Sequence, residues 1–291
     1  MRTDILMITY QRPEYVRLSL ARLLQTCDEH CRVWLWHNGN HAETLQVVRD
    51  YLHHPRVHRF HHSRENARLR VPTNWLWQQS DADYLSKVDD DCLVSPGWIQ
   101  ALRGAHADVP EFGVIGSWRF LDEDFDPDRA APKIRSFAGE KHQLLRNLWV
   151  QGSGYLAKRE MIARAGPLGP RDSFTSWCIR ASRLGWVNGW YYPFLPEDHM
   201  DDPRSPHTMY RTDEDLRAHL PLSARTSGIR TLADWEAQMR RSAVVAQTAS
   251  LDPRQYTGWR RTSRNLRRRA LRALGRRTAW DLVPAHRGAA R

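Results

Sequence analysis

Between Asp4 and Val94 short apolar runs alternate with stretches of helical periodicity, and that alternation leaves few folds open. Asp4-Ile5-Leu6-Met7-Ile8-Thr9-Tyr10 reads as a strand buried on both faces. Pro13 follows at a plausible first helical position, and Val16, Leu20, Leu23 and Leu24 then recur on one helical face. Arg32-Val33-Trp34-Leu35-Trp36 is a second strand, closed by the turn residues His37-Asn38-Gly39-Asn40. A helix over about Ala42 to Leu52, a strand at Arg56 to Phe60 and a helix over Pro72 to Gln79 lead to a strand at Tyr84 to Val88. Strands separated by helices call for crossover connections, so the pattern predicts an α/β fold: a Rossmann-like, mostly parallel sheet flanked by helices.

In open sheets of this kind ligands bind beyond the carboxyl ends of the strands. Thr9 to Arg12, Asn38 to Asn40 and Asp89-Asp90-Asp91 all sit at such ends and are expected to converge on one crevice. The acidic triplet is the chemically loudest of the three. Three adjacent carboxylates repel one another, so a positive group should offset them, and carboxylate oxygens suit Mg²⁺ or Mn²⁺. On an extended chain residues two apart share a face, which would place Asp89 and Asp91 together and turn Asp90 elsewhere. Lys87, odd on an apolar strand, is a candidate to pair with the cluster. No G-x-G-x-x-G follows the first strand, which argues against a dinucleotide-binding domain.

Charge narrows the partners. The net charge of +11 over 291 residues is concentrated from Arg254 to Arg291, where 12 Arg stand against Asp281 alone, so the rest of the chain is neutral overall. Between Trp259 and Arg277 an apolar stripe of Trp259, Leu266, Ala270, Ala273 and Leu274 is flanked by arginines, as in a helix lying on an anionic membrane surface. Nucleic-acid binding is the competing use of such a run, and docking on an acidic protein face a third. The opening residues do not read as a signal peptide, and no apolar run approaches a membrane span. Cys27, Cys31, Cys92 and Cys178 are too few and scattered for a disulfide framework, so a reducing cytoplasm is expected. The three-residue gap between Cys27 and Cys31 is not a redox C-x-x-C, and incidental thiols at a turn are expected there.

From Asp122 to Lys141 the chain is polar with few apolar anchors and reads as a mobile loop near the site. Beyond it come Val150-Gln151-Gly152-Ser153-Gly154-Tyr155, a basic helix start at Lys158, a helix near Trp177 to Leu184, and Glu197-Asp198-His199. Four segments, Ile5 to Leu24, Trp34 to Asn40, Lys87 to Leu102 and Val150 to Gly166, together with Arg180-Ala181, Gly185-Trp186 and Pro193, resemble in order the nucleotide-sugar glycosyltransferases of the GT-A fold, closest to the broad family 2 type. The resemblance implies a catalytic domain over residues 1–215, with a donor-binding half at 1–102 and an acceptor-binding half at 103–215, followed by a helical basic extension at 216–291.

By that analogy Asp91 ligates a divalent cation with Asp89 and His199, and Asp89 also contacts the donor. Thr9, Tyr10 and Arg12 cradle base and phosphate, Asn38 sits where the family often has an acid reading the base, and Arg68, Lys87 and Asp90 complete the donor site. Gly152, Ser153 and Gly154 face the acceptor. One departure stands out. Where the family carries the Glu-Asp pair that supplies its base, this chain has Ser173 and Phe174, so Asp172 is the substitute, with Glu197 and Asp198 as alternatives; capping the next helix is the competing role for Asp172. Trp98, Trp149, Trp186 and Trp190 are candidates for a sugar-stacking platform. The implied function is metal-dependent, inverting transfer of a sugar to an acceptor hydroxyl, on a saccharide or lipid-linked acceptor of cell-surface polysaccharide at the inner face of the membrane. A basic nucleic-acid-binding protein on an α/β scaffold and a nucleotidyltransferase are the alternatives from other classes.

Overall fold

In the computed structural model the apolar runs between Asp4 and Val94 become strands and the periodic stretches between them helices. The structure describes residues 1–220, 224, 228–258, 262, 263, 266 and 270. The chain divides into two compact units, Met1–Arg119 with Arg135–Glu197, and Phe120–Ile134 with the chain from Asp198 onward.

The first unit opens with β1 (Thr3–Thr9), α1 (Pro13–Thr26), β2 (Cys31–Asn38), α2 (Ala42–Asp50), β3 (Val57–Ser63), α3 (Arg70–Gln79) and β4 (Tyr84–Asp89). After β5 (Cys92–Val94) come α4 (Trp98–Asp108) and β6 (Phe112–Gly116). The nine-stranded sheet runs β3-β2-β1-β4-β9-β6-β10-β8-β7, its later strands being β7 (Ile134–Phe137), β8 (His142–Asn147), β9 (Tyr155–Lys158) and β10 (Val187–Tyr192). β1 pairs in parallel with both β2 and β4, and β2 with β3, whereas β9 enters antiparallel between β4 and β6. Strand order thus reverses at β1, the switch point at which such sheets open a crevice. Register brings the strand ends level: Ile8 stands beside Asp89, Thr9 beside His37, and Asn38 beside Ser63.

Burial explains the run of apolar residues. Ile5, Leu6, Met7, Val33, Leu35 and Val88 are fully buried, because helices cover both faces of these strands. On α1 the predicted stripe of Val16, Leu20, Leu23 and Leu24 is the buried one. The remaining helices of this unit, α6 (Arg159–Ala165) and α7 (Phe174–Arg183), follow β9. The four candidate stacking tryptophans all lie in the interior, Trp98 fully so with its indole N–H on Thr26 Oγ1 at 3.3 Å, and none presents an open face to a sugar.

The polar stretch after Asp122 is not the mobile loop its composition suggests. It forms a 3₁₀ turn at Asp122–Asp124, α5 (Pro127–Ala130), a second 3₁₀ turn at Ala131–Lys133, and then β7. Its anchors are polar rather than apolar. Asp126 caps α5 by accepting the Arg129 N–H at 3.0 Å, and the Asp124 carboxylate, 2 % exposed, takes Arg204 at 2.9 and 2.7 Å. The second unit also holds β11 (Glu197–His199) from Asp198 on, α8 (Asp213–Ala218) and α9 (Leu232–Thr248), with a small core of Tyr210, Leu216, Ala224, Ile229, Trp235 and Met239. Of the expected arginine-flanked stripe, Trp259, Ala273, Leu274 and the arginines lie outside the described residues; Leu266, which is described, is 58 % exposed.

Lys133 yields a pH prediction in this unit. Its ammonium is buried, donates to the Ala246 carbonyl at 2.8 Å, and is brought down to about 7 by desolvation. The unfolded chain holds that proton up to the ordinary lysine range, so between about pH 7 and 10 the unfolded state binds more protons and folding stability rises with pH. Urea melts of the wild type at about pH 7 and 9.5 should differ by about 2 kcal/mol from this source, and Lys133→Met should remove that difference. An equal pH slope in the variant would rule Lys133 out as its origin.

Candidate active site

β4 ends at Asp89, and Asp90 and Asp91 form the tight turn into β5. The strand's alternation therefore stops at Asp89, and the expectation that Asp90 turns away from its neighbours fails, while Asp91 still acts on Asp89 electrostatically. Asp89 is paired with Lys87, whose side chain is 5 % exposed. Asp90 and Asp91 instead share Arg12, whose Nη2 lies 3.4 Å from Asp90 Oδ1 and 3.1 Å from Asp91 Oδ2. The Tyr10 backbone N–H donates to Asp90 Oδ2 at 2.9 Å, and Ser19, buried on α1, donates to the Asp90 carbonyl at 2.9 Å. Burial pushes the Asp90 carboxyl up to about 7, with Arg12 pulling it back and Asp91 adding to the rise.

A second layer holds the turn from behind. Ser153 accepts the Asp89 backbone N–H at 2.9 Å and donates its own proton to Glu197. Glu197 is 2 % exposed and also takes the Gln151 amide at 3.4 Å; Gln151 is itself held by Trp190 Nε1 and the Ser117 carbonyl. Burial raises the Glu197 carboxyl, and the Ser153 and Cys92 hydrogen bonds oppose that rise. Ser153 and Gly154 are thus walls behind Asp89 rather than an acceptor surface, and of that trio only Gly152 keeps a partly open position. Gln151 and Ser19 escaped the sequence reading. A polar residue on the buried stripe of α1 is a visible signal for Ser19, whereas nothing in the sequence marks Gln151.

Two donor-site expectations change. Thr9 is fully buried with its hydroxyl 2.9 Å from His37 Nδ1, so it supports the strand end instead of cradling a base. His37 is driven down to about 4, first by burial and then by His62, His41 and Arg49, and stays neutral. Asn38 is 2 % exposed and its amide is already committed. Oδ1 accepts Trp36 Nε1 at 2.9 Å and the Ala67 N–H at 3.0 Å, and Nδ2 donates to the Arg68 carbonyl at 3.3 Å. It therefore clamps the loop carrying Arg68, itself exposed with a left-handed backbone (φ 57°), and does not offer its side chain to a base.

The carboxylates proposed as base differ in how free they are. Asp172 accepts the Gly169 N–H at 2.9 Å, Arg180 Nη1 at 2.7 Å and the Ser176 hydroxyl at 3.3 Å. Burial would raise it, but the Gly169 and Arg180 contacts win and hold it below the usual carboxylate range, which weakens it as a base. The helix that follows is capped by Ser173 in a capping box with Ser176, so the cap is Ser173 and not Asp172. Phe174 is buried, its ring 4.4 Å from that of Tyr155. In the second unit Asp198 is 25 % exposed and pairs with His207 at 2.6 Å, and His199 is buried.

The model for glycosyl transferase family 2 matches residues 4–165, more than half of the chain. Among curated proteins, Protein CgeD of Bacillus subtilis (strain 168) is 23% identical over 123 residues, covering 40% of this chain and 29% of CgeD. The matched stretch thus spans less than a third of that relative. The mannosyltransferase PcManGT from Pyrobaculum calidifontis, solved in complex with GDP-Man and Mn²⁺, superposes with a TM-score of 0.57 at 14% identity, over 94% of this chain and 80% of its own. S. aureus TarS 1-349 in complex with UDP-GlcNAc gives 0.51 at 11% identity, over 88% and 75%. At such identities the likeness is one of fold, and that fold is the GT-A arrangement of a mostly parallel sheet flanked by helices. On the family match, the chain belongs to glycosyl transferase family 2.

Proposed function

We propose that the protein moves a sugar from a nucleoside-diphosphate donor to an acceptor hydroxyl, with inversion, using the crevice at the carboxyl ends of β1, β2 and β4. The observation that carries this reading is the acidic turn at the strand-order switch, flanked by Lys87 and Arg12 and backed by Ser153 and Glu197. Asp91 and Asp89 offer carboxylate oxygens suited to a hard divalent cation, Mn²⁺ or Mg²⁺, and His199 is the third ligand that the family resemblance implies. When bound, such a cation neutralises charge on the departing nucleoside diphosphate.

The chain's own residues then divide the work. Arg12 and Arg68 carry guanidinium groups suited to a diphosphate, and Tyr10 stands two residues before Arg12, just after β1. Lys87 holds Asp89 in place. Asp172 is tied to Arg180 and Glu197 is closed behind Ser153, so Asp198, paired with His207, is the base proposed from the three candidates that the resemblance offers. Asp198→Asn should lower kcat about a hundredfold while leaving donor-induced stabilisation unchanged. A full-rate variant would remove Asp198 from this role.

The arginine-rich extension suits an anionic membrane surface, placing the acceptor among lipid-linked glycans on its cytoplasmic side. A thermal-shift screen of nucleoside diphosphates and their sugars, with and without Mn²⁺, tests the function. A metal-dependent rise for one nucleotide supports it, and no rise with any of them, in folded protein, overturns it.

A further inference from the structure

Three adjacent carboxylates at one turn require compensation, and this chain brings cations of its own to them, Arg119 also acting on Asp89. Lys87 serves Asp89, and Arg12 bridges Asp90 and Asp91, at 3.4 and 3.1 Å, from a side chain only 17 % exposed. Its approach is built into the backbone. Gln11 and Arg12 both adopt left-handed conformations (φ 56° and 52°), uncommon for residues with a Cβ, in the turn that leads from β1 into α1. The turn is pinned on one side by the Tyr10 N–H on Asp90 and on the other by the guanidinium itself, which also lies 5.1 Å from the Tyr15 ring centroid.

We infer that Arg12 is the resident counter-ion of Asp91 in the donor-free protein, and that it gives up Asp91 to a divalent cation only as the donor's diphosphate arrives to receive the guanidinium. This rests on the glycosyltransferase reading above. The charges support it. In the donor-free protein Arg12 already offsets Asp91. A divalent ion alone would set a second cation on Asp91 with Arg12 still pressed against it, whereas an ion that arrives with a diphosphate brings an anion to receive the guanidinium. Metal and donor should therefore bind together far better than either binds alone, and Arg12 is the positioning residue that enforces the coupling.

Mn²⁺ binding, followed by electron paramagnetic resonance on the full chain, tests this without any turnover. Wild type should bind Mn²⁺ weakly alone and much more tightly with UDP or GDP, whichever the thermal-shift screen selects. Arg12→Gln should bind Mn²⁺ alone about tenfold more tightly than wild type, and the nucleotide should then add little. Arg12→Gly, which removes the charge in a backbone conformation glycine favours, should behave the same way and covers a folding failure of the first variant. Arg12→Lys should stay close to wild type. Unchanged or weaker Mn²⁺ binding by the Gln and Gly variants, alongside nucleotide-dependent binding in wild type, overturns the role of Arg12 and leaves the functional reading standing. No Mn²⁺ binding by any of these proteins, with or without nucleotide, overturns both.

Discussion

Gly154→Ala is expected to destabilise the protein by about 3 kcal/mol and to disorganise the acidic turn at the same time. Two independent features demand glycine there. The backbone is left-handed (φ +59°), which strains any residue with a Cβ, and a Cβ built at this position would lie 2.2 Å from Glu197 Oε2 and 2.8 Å from Glu197 Cδ. That carboxylate has no easy retreat, since it is buried and held by Ser153 and Gln151. The backbone cannot slide freely either: the Gly154 N–H donates to the Lys87 carbonyl at 2.9 Å and its carbonyl accepts the Ser117 N–H at 2.8 Å. The added methyl therefore competes with the Ser153–Glu197 bond, and through Ser153 with the anchor on Asp89. Urea melts should show a lowered midpoint. Glu197→Ala in the same chain should restore part of the loss, because the two changes share one contact. A wild-type midpoint in the single variant would mean that the Glu197 side chain swings clear.

Asp91→Ala should abolish the metal-dependent, nucleotide-induced rise in melting temperature and lower kcat/KM about a thousandfold, the order expected when a cation that neutralises a leaving diphosphate is no longer held. Its effect on folding should be small. Asp91 adds repulsion to a turn that already holds Asp89 and Asp90, so its removal relieves like charges even as Arg12 loses one partner. The combination is diagnostic: a protein that melts normally in buffer but no longer responds to nucleotide with Mn²⁺. If Asp91→Ala keeps the metal-dependent response, the cation is held elsewhere and the assignment of Asp91 fails.

The candidate site was legible in outline and misleading in detail, and the reason is the same in each case. Periodicity reports which residues are apolar and how far apart they lie, so it located β1, β2 and β4 and the polar residues at their ends. It carries no information on which polar atoms are already satisfied. Thr9, Asn38, Ser153 and Asp172 all sit near positions where a ligand group is expected, yet their hydrogen-bonding capacity is spent on His37, on the Ala67–Arg68 loop, on Glu197 and Asp89, and on Arg180. The stretch after Asp122 failed for a related reason. Composition scores apolar anchors, whereas this segment is fixed by buried charge pairs and a capping carboxylate, which read as solvent-exposed residues until their partners at Arg204 and Ala246 are known.

From sequence alone came the parallel α/β sheet, the family, the acidic turn at the end of β4 and the expectation that Lys87 would answer its charge, because each depends on local pattern or on residues close in the chain. Only the tertiary structure decided that Arg12 is the partner of Asp90 and Asp91, that Ser153 and Glu197 brace Asp89 from behind, and that Asn38 is a loop clamp. Those contacts join residues from 29 to more than 70 positions apart, and a pairing at that range is set by how the strands cross the sheet, not by any spacing along the chain.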